Sequence, residues 1–130
     1  MRLLFVAAFA AAALLSACAP SPEISPPRGL LDVTDQPAEK ALLAGLRAYD
    51  DAQYAEAEKQ LNTALLAGLV SPRDKAAAHK HLAFILCSSQ RPVECEAMFV
   101  AARQADPGFE LSRAEAGHPL WGPVYIRLRR

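Results

Sequence analysis

Three histidines are the residues of this sequence best suited to bind a metal or transfer a proton, but their spacing does not favour either role. His79 and His81 are two residues apart, so on a helix they point in divergent directions, whereas ligands that share a helix face are three or four apart. His118 is distant in sequence. A serine nucleophile motif and a glycine-rich phosphate loop are both missing from the sequence. We therefore expect a protein without catalytic activity, metal, cofactor or small-molecule substrate.

The first cysteine, Cys18, follows a segment with the features of an export signal. Arg2 gives a positive start, and residues 3–15 form an apolar run that is long enough for a signal core and too short to span a bilayer. The motif Leu15-Ser16-Ala17-Cys18 resembles a lipobox, in which a peptidase cuts before the cysteine and the thiol receives lipid. We predict a signal peptide over residues 1–17 and a lipidated Cys18. The alternative is an ordinary cleavage that leaves a free thiol.

The residues after Cys18 predict where the protein is anchored and how. Ala19 occupies the position where the inner-membrane retention signal of such lipoproteins has aspartate, and this resemblance implies the periplasmic face of the outer membrane. Residues 18–36 are rich in proline and serine, which predicts an extended tether between the lipid and the folded part.

Two cysteines, Cys87 and Cys95, remain for the folded part. An even pair in an oxidising periplasm is a candidate disulfide, and one of the two lies near the end of a predicted helix while the other lies early in the next helix. The alternative is a pair of buried thiols that pack as small apolar residues.

After the tether, the composition shifts to alanine, leucine, glutamate and lysine, which are strong helix formers, and no alternating strand pattern competes. We predict an all-α fold. The four predicted helices cover residues 38–51, 54–67, 73–88 and 93–105. Gly68, Ser71 and Pro72 separate the second from the third, and Pro107-Gly108 follows the fourth.

The helices fall into two similar units. When the chain is aligned with itself so that Gly45 falls on Ala83, small residues match small ones and Leu61 matches Phe99. The pattern resembles the tetratricopeptide repeat, a hairpin of antiparallel helices in which small residues allow close approach. The first unit matches at Gly45, Tyr54, Ala57, Leu61 and Ala64, and the second at Leu82, Ala83, Phe99, Ala102 and Pro107, with Cys95 replacing an alanine. We predict two such hairpins over residues 37–110; a generic four-helix bundle is the alternative.

Two repeats leave an apolar face uncovered, and three or more are usually needed for stability. Residues 111–130 are the predicted cap, with Trp121 buried against the second repeat. Glycines and prolines between Gly117 and Pro123 predict a succession of turns. His118, Trp121 and Tyr125 are the residues predicted to form the cap or, in the alternative, a recognition surface that the segment presents to a partner.

The inner helices of stacked repeats line a concave surface. Here this surface is a predicted groove for a partner's helix or extended peptide, unless the protein's own tail fills it. The residues predicted to line it are Leu42, Leu46, Tyr49, Lys80 and Phe84, with Glu39 beside them.

The C-terminal signature comprises Asp106-Pro107-Gly108-Phe109-Glu110-Leu111 and the stretch from Glu115 to Tyr125. Together with the lipobox and the cysteine spacing, it resembles the TssQ family of lipoproteins associated with type VI secretion. The resemblance spans most of the mature chain and implies a non-enzymatic accessory role beside the secretion apparatus, with an envelope protein as partner. A pilotin-like lipoprotein and a cell-wall enzyme subunit are the alternatives. A formal net charge of zero gives no indication of nucleic-acid binding.

Overall fold

The computed structural model describes residues 36–129, which are helical and contain no β-strand. The predicted signal peptide, Cys18 and all of the tether except Gln36 lie outside the described residues. The all-α fold predicted from the sequence is confirmed. Its helices are α1 (Pro37–Asp50), α2 (Tyr54–Ala67), α3 (Pro72–Ser88), α4 (Pro92–Ala105), α5 (Arg113–Ala116) and α6 (Gly122–Leu128).

The four long helices begin and end within one residue of the predicted positions. The differences at their starts have one cause, because α1, α3 and α4 each begin on a proline that the prediction left outside the helix. Proline fits the first helical position, where its missing N–H has no partner to lose and its φ angle is already helical. Ser71 caps α3 by accepting a hydrogen bond from the Asp74 backbone N–H at 3.3 Å.

The helices α1 and α2 form one antiparallel hairpin, and α3 and α4 form a second. In the first hairpin, α1 and α2 approach so closely at Gly45 that a methyl group there would lie 2.8 Å from Cγ of Leu61. Only glycine permits this approach without a shift of the neighbouring side chain. The aligned repeat positions are all buried, which confirms that the self-alignment identified the centre of each hairpin: Gly45, Ala57, Leu61, Ala64, Ala83, Cys95, Phe99 and Ala102.

The C-terminal segment caps the second hairpin, as predicted, and it contains helices as well as the predicted turns. It forms the short helices α5 and α6, and Gly122 and Pro123 begin α6. A methyl group at Gly122 would lie 2.3 Å from the carbonyl oxygen of Ala116, so glycine is required where α6 meets the end of α5. The predicted turns are present at Gly117 and at residues 119–121. The prediction was wrong at Gly122 and Pro123, because a glycine and a proline at a helix start carry the same local signal as a turn.

Candidate functional site

A continuous series of aromatic rings runs from the turn between α1 and α2 to the C-terminal segment. Each ring centroid in the series lies within 5.9 Å of the next, and most pairs meet edge to face or stacked, the favourable arrangements for aromatic side chains. We call this series the aromatic row; in order it consists of Tyr54, Tyr49, His81, Phe84, Trp121 and His118.

Four parts of the chain supply the row: α1, α2 with Tyr54 as its first residue, α3 and the C-terminal segment. Tyr49 lies in the last turn of α1, while His81 and Phe84 are three residues apart on α3 and therefore share a face. The ring of His81 lies edge-on to that of Tyr49 at 5.0 Å, so the row links the first hairpin to the second. Trp121 enters the row from the residue that precedes α6.

Trp121 is the junction between the C-terminal segment and α3. Its ring stacks on Phe84 at a centroid distance of 4.2 Å and on His118 at 3.4 Å. Its indole N–H donates a hydrogen bond to the carbonyl of Glu115 at 2.8 Å. The predicted burial of Trp121 is therefore only partly realised: the ring covers Phe84 but remains half-buried itself. The buried aromatic residue of the segment is Tyr125, which is 1 % exposed.

An ion pair holds the same segment beside the row. Lys80 Nζ lies 2.7 Å from Oε1 of Glu115. The side chains of Ser112 and Glu115 also form a capping box, in which each accepts a hydrogen bond from the other's backbone N–H. Burial raises the pKa of the Glu115 carboxyl, but the hydrogen bonds from Lys80 and Ser112 outweigh it and place this pKa below its ordinary value. Glu115 is therefore a carboxylate at neutral pH.

The pKa values of two polar rings in the row, Tyr49 and His81, are both shifted in the direction that favours the neutral form. Burial lowers the pKa of His81, although its Nδ1 lies 2.8 Å from the carbonyl oxygen of Ala77. Since a carbonyl only accepts, Nδ1 carries the proton in this contact. Burial, and then the nearby Tyr54 and Asp50, raise the pKa of Tyr49. A neutral, aromatic and half-buried surface suits contact with apolar or aromatic side chains.

The structure divides the predicted groove residues into two groups. Leu42 and Phe84 are 6 % and 3 % exposed, so they belong to the core and do not line an open groove; Phe84 is covered by the protein's own Trp121. Leu46, Tyr49 and Lys80 are half-buried. Glu39 is buried, and its Oε2 has no hydrogen-bond partner. The tail therefore occupies the part of the concave surface next to Phe84.

Tyr125 organises the cap, whereas the sequence predicted it as one of several residues of a cap or of a recognition surface. Its ring packs against Phe99 at 5.5 Å and Phe109 at 6.3 Å. Its hydroxyl accepts a hydrogen bond from the buried backbone N–H of Leu111 at 3.1 Å. The sequence did contain a signal that Tyr125 and Trp121 belong to one packed unit. The two residues are four positions apart, the spacing of neighbours on a helix face, and a helix start lies between them. The partners of Tyr125, however, are distant in sequence.

Cys87 and Cys95 are joined by a disulfide across the second hairpin, with their Cα atoms 5.2 Å apart. Cys95 is fully buried. The bond links the end of α3 to the first turn of α4, on the side of the hairpin opposite to the loop that leads into the cap.

Residues 36–129 contain no cluster of three or more histidine, cysteine, aspartate or glutamate side chains able to hold a metal ion. Within the same range, none of the helices has the length and apolar character required to cross a membrane. No family model matches the chain, and no curated protein or solved structure is significantly similar to it.

Proposed function

We propose that this protein is a non-catalytic lipoprotein of the outer membrane that acts through protein–protein contacts as a scaffold or assembly accessory, in a type VI secretion system. The observation that carries the proposal is the half-buried aromatic row. Tyr49, His81, Trp121 and His118 all keep part of their surface accessible although they pack against one another. Aromatic side chains of this kind are enriched at protein interfaces.

The row is also rigid, which favours recognition over simple capping. The indole N–H of Trp121 is held by a backbone carbonyl, and the Lys80–Glu115 ion pair fixes the segment that supplies this carbonyl. A surface that is ordered before binding loses less conformational entropy when a partner docks. A rigid row of neutral rings suits a partner that contributes apolar and aromatic side chains.

The assignment to type VI secretion rests on the resemblance of the C-terminal signature to the TssQ family. The signature residues include both His118 and Trp121, so the part of the sequence that carries the resemblance also supplies one end of the row. The envelope location rests on the lipobox at Cys18.

The lipid anchor is tested by mass spectrometry of the mature protein purified from membranes. We expect the mature protein to begin at Cys18 and this cysteine to carry more than one acyl chain. A single chain would give only marginal membrane binding. The matched control is Cys18→Ser, which should leave the membrane fraction. An unmodified Cys18 in a soluble periplasmic protein would contradict this part of the proposal.

The function is tested in a strain that lacks the gene, by measuring release of a type VI substrate after complementation. Tyr49→Ala and His118→Ala should reduce release, because both remove accessible rings from the row. Ile126→Ala is the matched control, since Ile126 is 47 % exposed and lies outside the row. Each variant is first shown to have a wild-type melting temperature.

Two results would overturn the proposal. Normal release from the deletion strain would exclude a role in type VI secretion, and a loss of outer-membrane secretin multimers in that strain would then support the pilotin-like alternative. Normal release with both row variants would exclude the row as the functional surface.

A further inference from the structure

The antiparallel hairpins give the molecule two distinct ends. The chain enters α1 at Pro37, and the loop between α2 and α3 returns to that same end, which we call the tether end. The loop after α4 also lies there, because Arg73 near the start of α3 lines one cleft with Asp106 and Gly108. The opposite end carries the α1–α2 and α3–α4 turns, where Arg91 pairs with Glu58 at 2.8 Å.

The tether end exposes two aliphatic side chains, one in the last turn of α2 and one on the α2–α3 loop. Leu66 is 88 % exposed and Val70 is 68 % exposed, whereas Leu69 between them is 2 % exposed. The loop turns at Gly68, whose φ of 90° lies in the left-handed region that favours glycine. Leu69 thus anchors the loop in the core while Leu66 and Val70 project outward.

The two ends also differ in charge. Next to these side chains, the first turns of α3 carry the exposed Arg73 and the half-buried Lys75, with the half-buried Asp74 between them. At the opposite end, the α1–α2 turn exposes the acidic Asp50 and Asp51. Aliphatic side chains flanked by cations are the composition that binds the interface of an anionic bilayer.

We propose that the α2–α3 loop is a membrane-contact site: Leu66 and Val70 insert between lipid headgroups, and Arg73 lies against the headgroup phosphates. The proposal rests on the proposed lipid anchor at Cys18. Pro37 follows directly from the segment that leads to this cysteine and lies at the same end as the loop. The anchor therefore keeps this end of the molecule within reach of the bilayer, at a distance limited by the tether of residues 18–36. The contact would orient the aromatic row relative to the membrane.

The experiment uses the full-length lipidated protein in vesicles of phosphatidylethanolamine and phosphatidylglycerol that contain a nitroxide-labelled lipid. A fluorophore is attached at Leu66→Cys or, as the matched control, at Val93→Cys. Val93 is also an exposed valine, at 80 %, but lies at the start of α4 at the opposite end. We expect loss of most of the fluorescence at position 66 and little loss at position 93, and the variant Val70→Asp should restore fluorescence at position 66.

Flotation of the vesicles distinguishes the two proposals. If the protein floats and positions 66 and 93 are quenched equally, or neither is quenched, the membrane-contact site is refuted while the anchor stands, and the loop is then left for a protein partner. If the protein does not float, the anchor is refuted and the contact site fails with it.

Discussion

The two hairpins have the same helix arrangement but are held together differently. In the first hairpin, α1 has no side chain at Gly45, so its backbone lies directly against Leu61 of α2. In the second, Ala83 occupies the equivalent position and the disulfide between Cys87 and Cys95 joins the helices. The first hairpin contains no cysteine. Close packing alone is therefore sufficient for one hairpin, while the other combines packing with a covalent link.

The hairpins also differ in what covers them. The second hairpin is covered by the C-terminal segment, whose Tyr125 packs on Phe99 and whose Trp121 packs on Phe84. The first hairpin meets the second where α2 packs against α3 and where the ring of Tyr49 contacts that of His81. The comparison teaches that a two-hairpin stack can replace a third repeat with a short segment, provided that this segment supplies large buried side chains. Five predictions test this comparison, beginning with the largest expected effect.

Replacement of Tyr125 should have the largest effect on the covered hairpin. Tyr125→Ala removes a ring that is 1 % exposed and leaves the Leu111 N–H without its acceptor, so we expect a loss of about 3–5 kcal/mol in the free energy of unfolding. Urea denaturation followed by circular dichroism measures it. Ile126→Ala, at an exposed neighbouring position, should change stability by less than about 0.5 kcal/mol. Equal effects of the two substitutions would show that the segment is not a cap.

Removal of the disulfide should affect the second hairpin next most strongly. The bonded cysteines are 8 residues apart in sequence, and closing a loop of this size contributes about 2–3 kcal/mol in the chain-entropy description. Urea denaturation of the Cys87→Ala, Cys95→Ala double variant should show this loss, and hydrogen exchange should place the faster exchange in α3 and α4. Faster exchange confined to α1 and α2 would contradict the distinction between the hairpins.

The equivalent positions Gly45 and Ala83 should respond in opposite ways to a methyl group. Gly45→Ala should lower stability by about 1–3 kcal/mol because the added carbon meets Leu61 at 2.8 Å, even though alanine is the better helix former. Ala83→Gly removes a methyl group from a helix and should cost about 1 kcal/mol. Thermal unfolding of both variants gives the answer. A stabilised Gly45→Ala protein would mean that the first hairpin has room at its centre.

The smallest effect concerns the ion pair beside the row. The pKa of Glu115 is lower in the fold than its ordinary 4.5, so the carboxylate's contribution is present above that value and is lost as the pH falls through the folded pKa. Because the pair is partly exposed, we expect less than about 1 kcal/mol. Urea denaturation between neutral and acidic pH should show the wild type losing its advantage over Glu115→Gln below pH 4.5. If the difference in stability between the wild type and Glu115→Gln does not change with pH, the Glu115 carboxylate does not make this contribution.

A second acid-sensitive group acts in the same direction. Burial lowers the pKa of His81, and also that of His79, so the fold disfavours the protonated form of both rings. Stability should therefore also fall as the pH drops below the ordinary histidine value of 6.5. The two contributions separate along the pH axis, because the His81 loss begins at a higher pH than the Glu115 loss.

The sequence by itself determined the four long helices and the centre of each hairpin. Helix formation depends on local composition, and residues such as Pro72 and Gly68 mark the ends of helices wherever the chain folds. The match of Gly45 with Ala83 and of Leu61 with Phe99 reflects a repeated local packing rule, which the self-alignment could detect.

Only the tertiary structure decided the role of the C-terminal segment and the composition of the aromatic row. Gly122 and Pro123 fit a turn as well as a helix start, and local sequence does not distinguish the two. The row joins Tyr49, His81 and Trp121, which are far apart in the chain and meet only after the hairpins have stacked. Burial of Tyr125 rather than Trp121 likewise follows from which ring reaches Phe99 once α6 has formed, a contact between distant segments that local propensity does not encode.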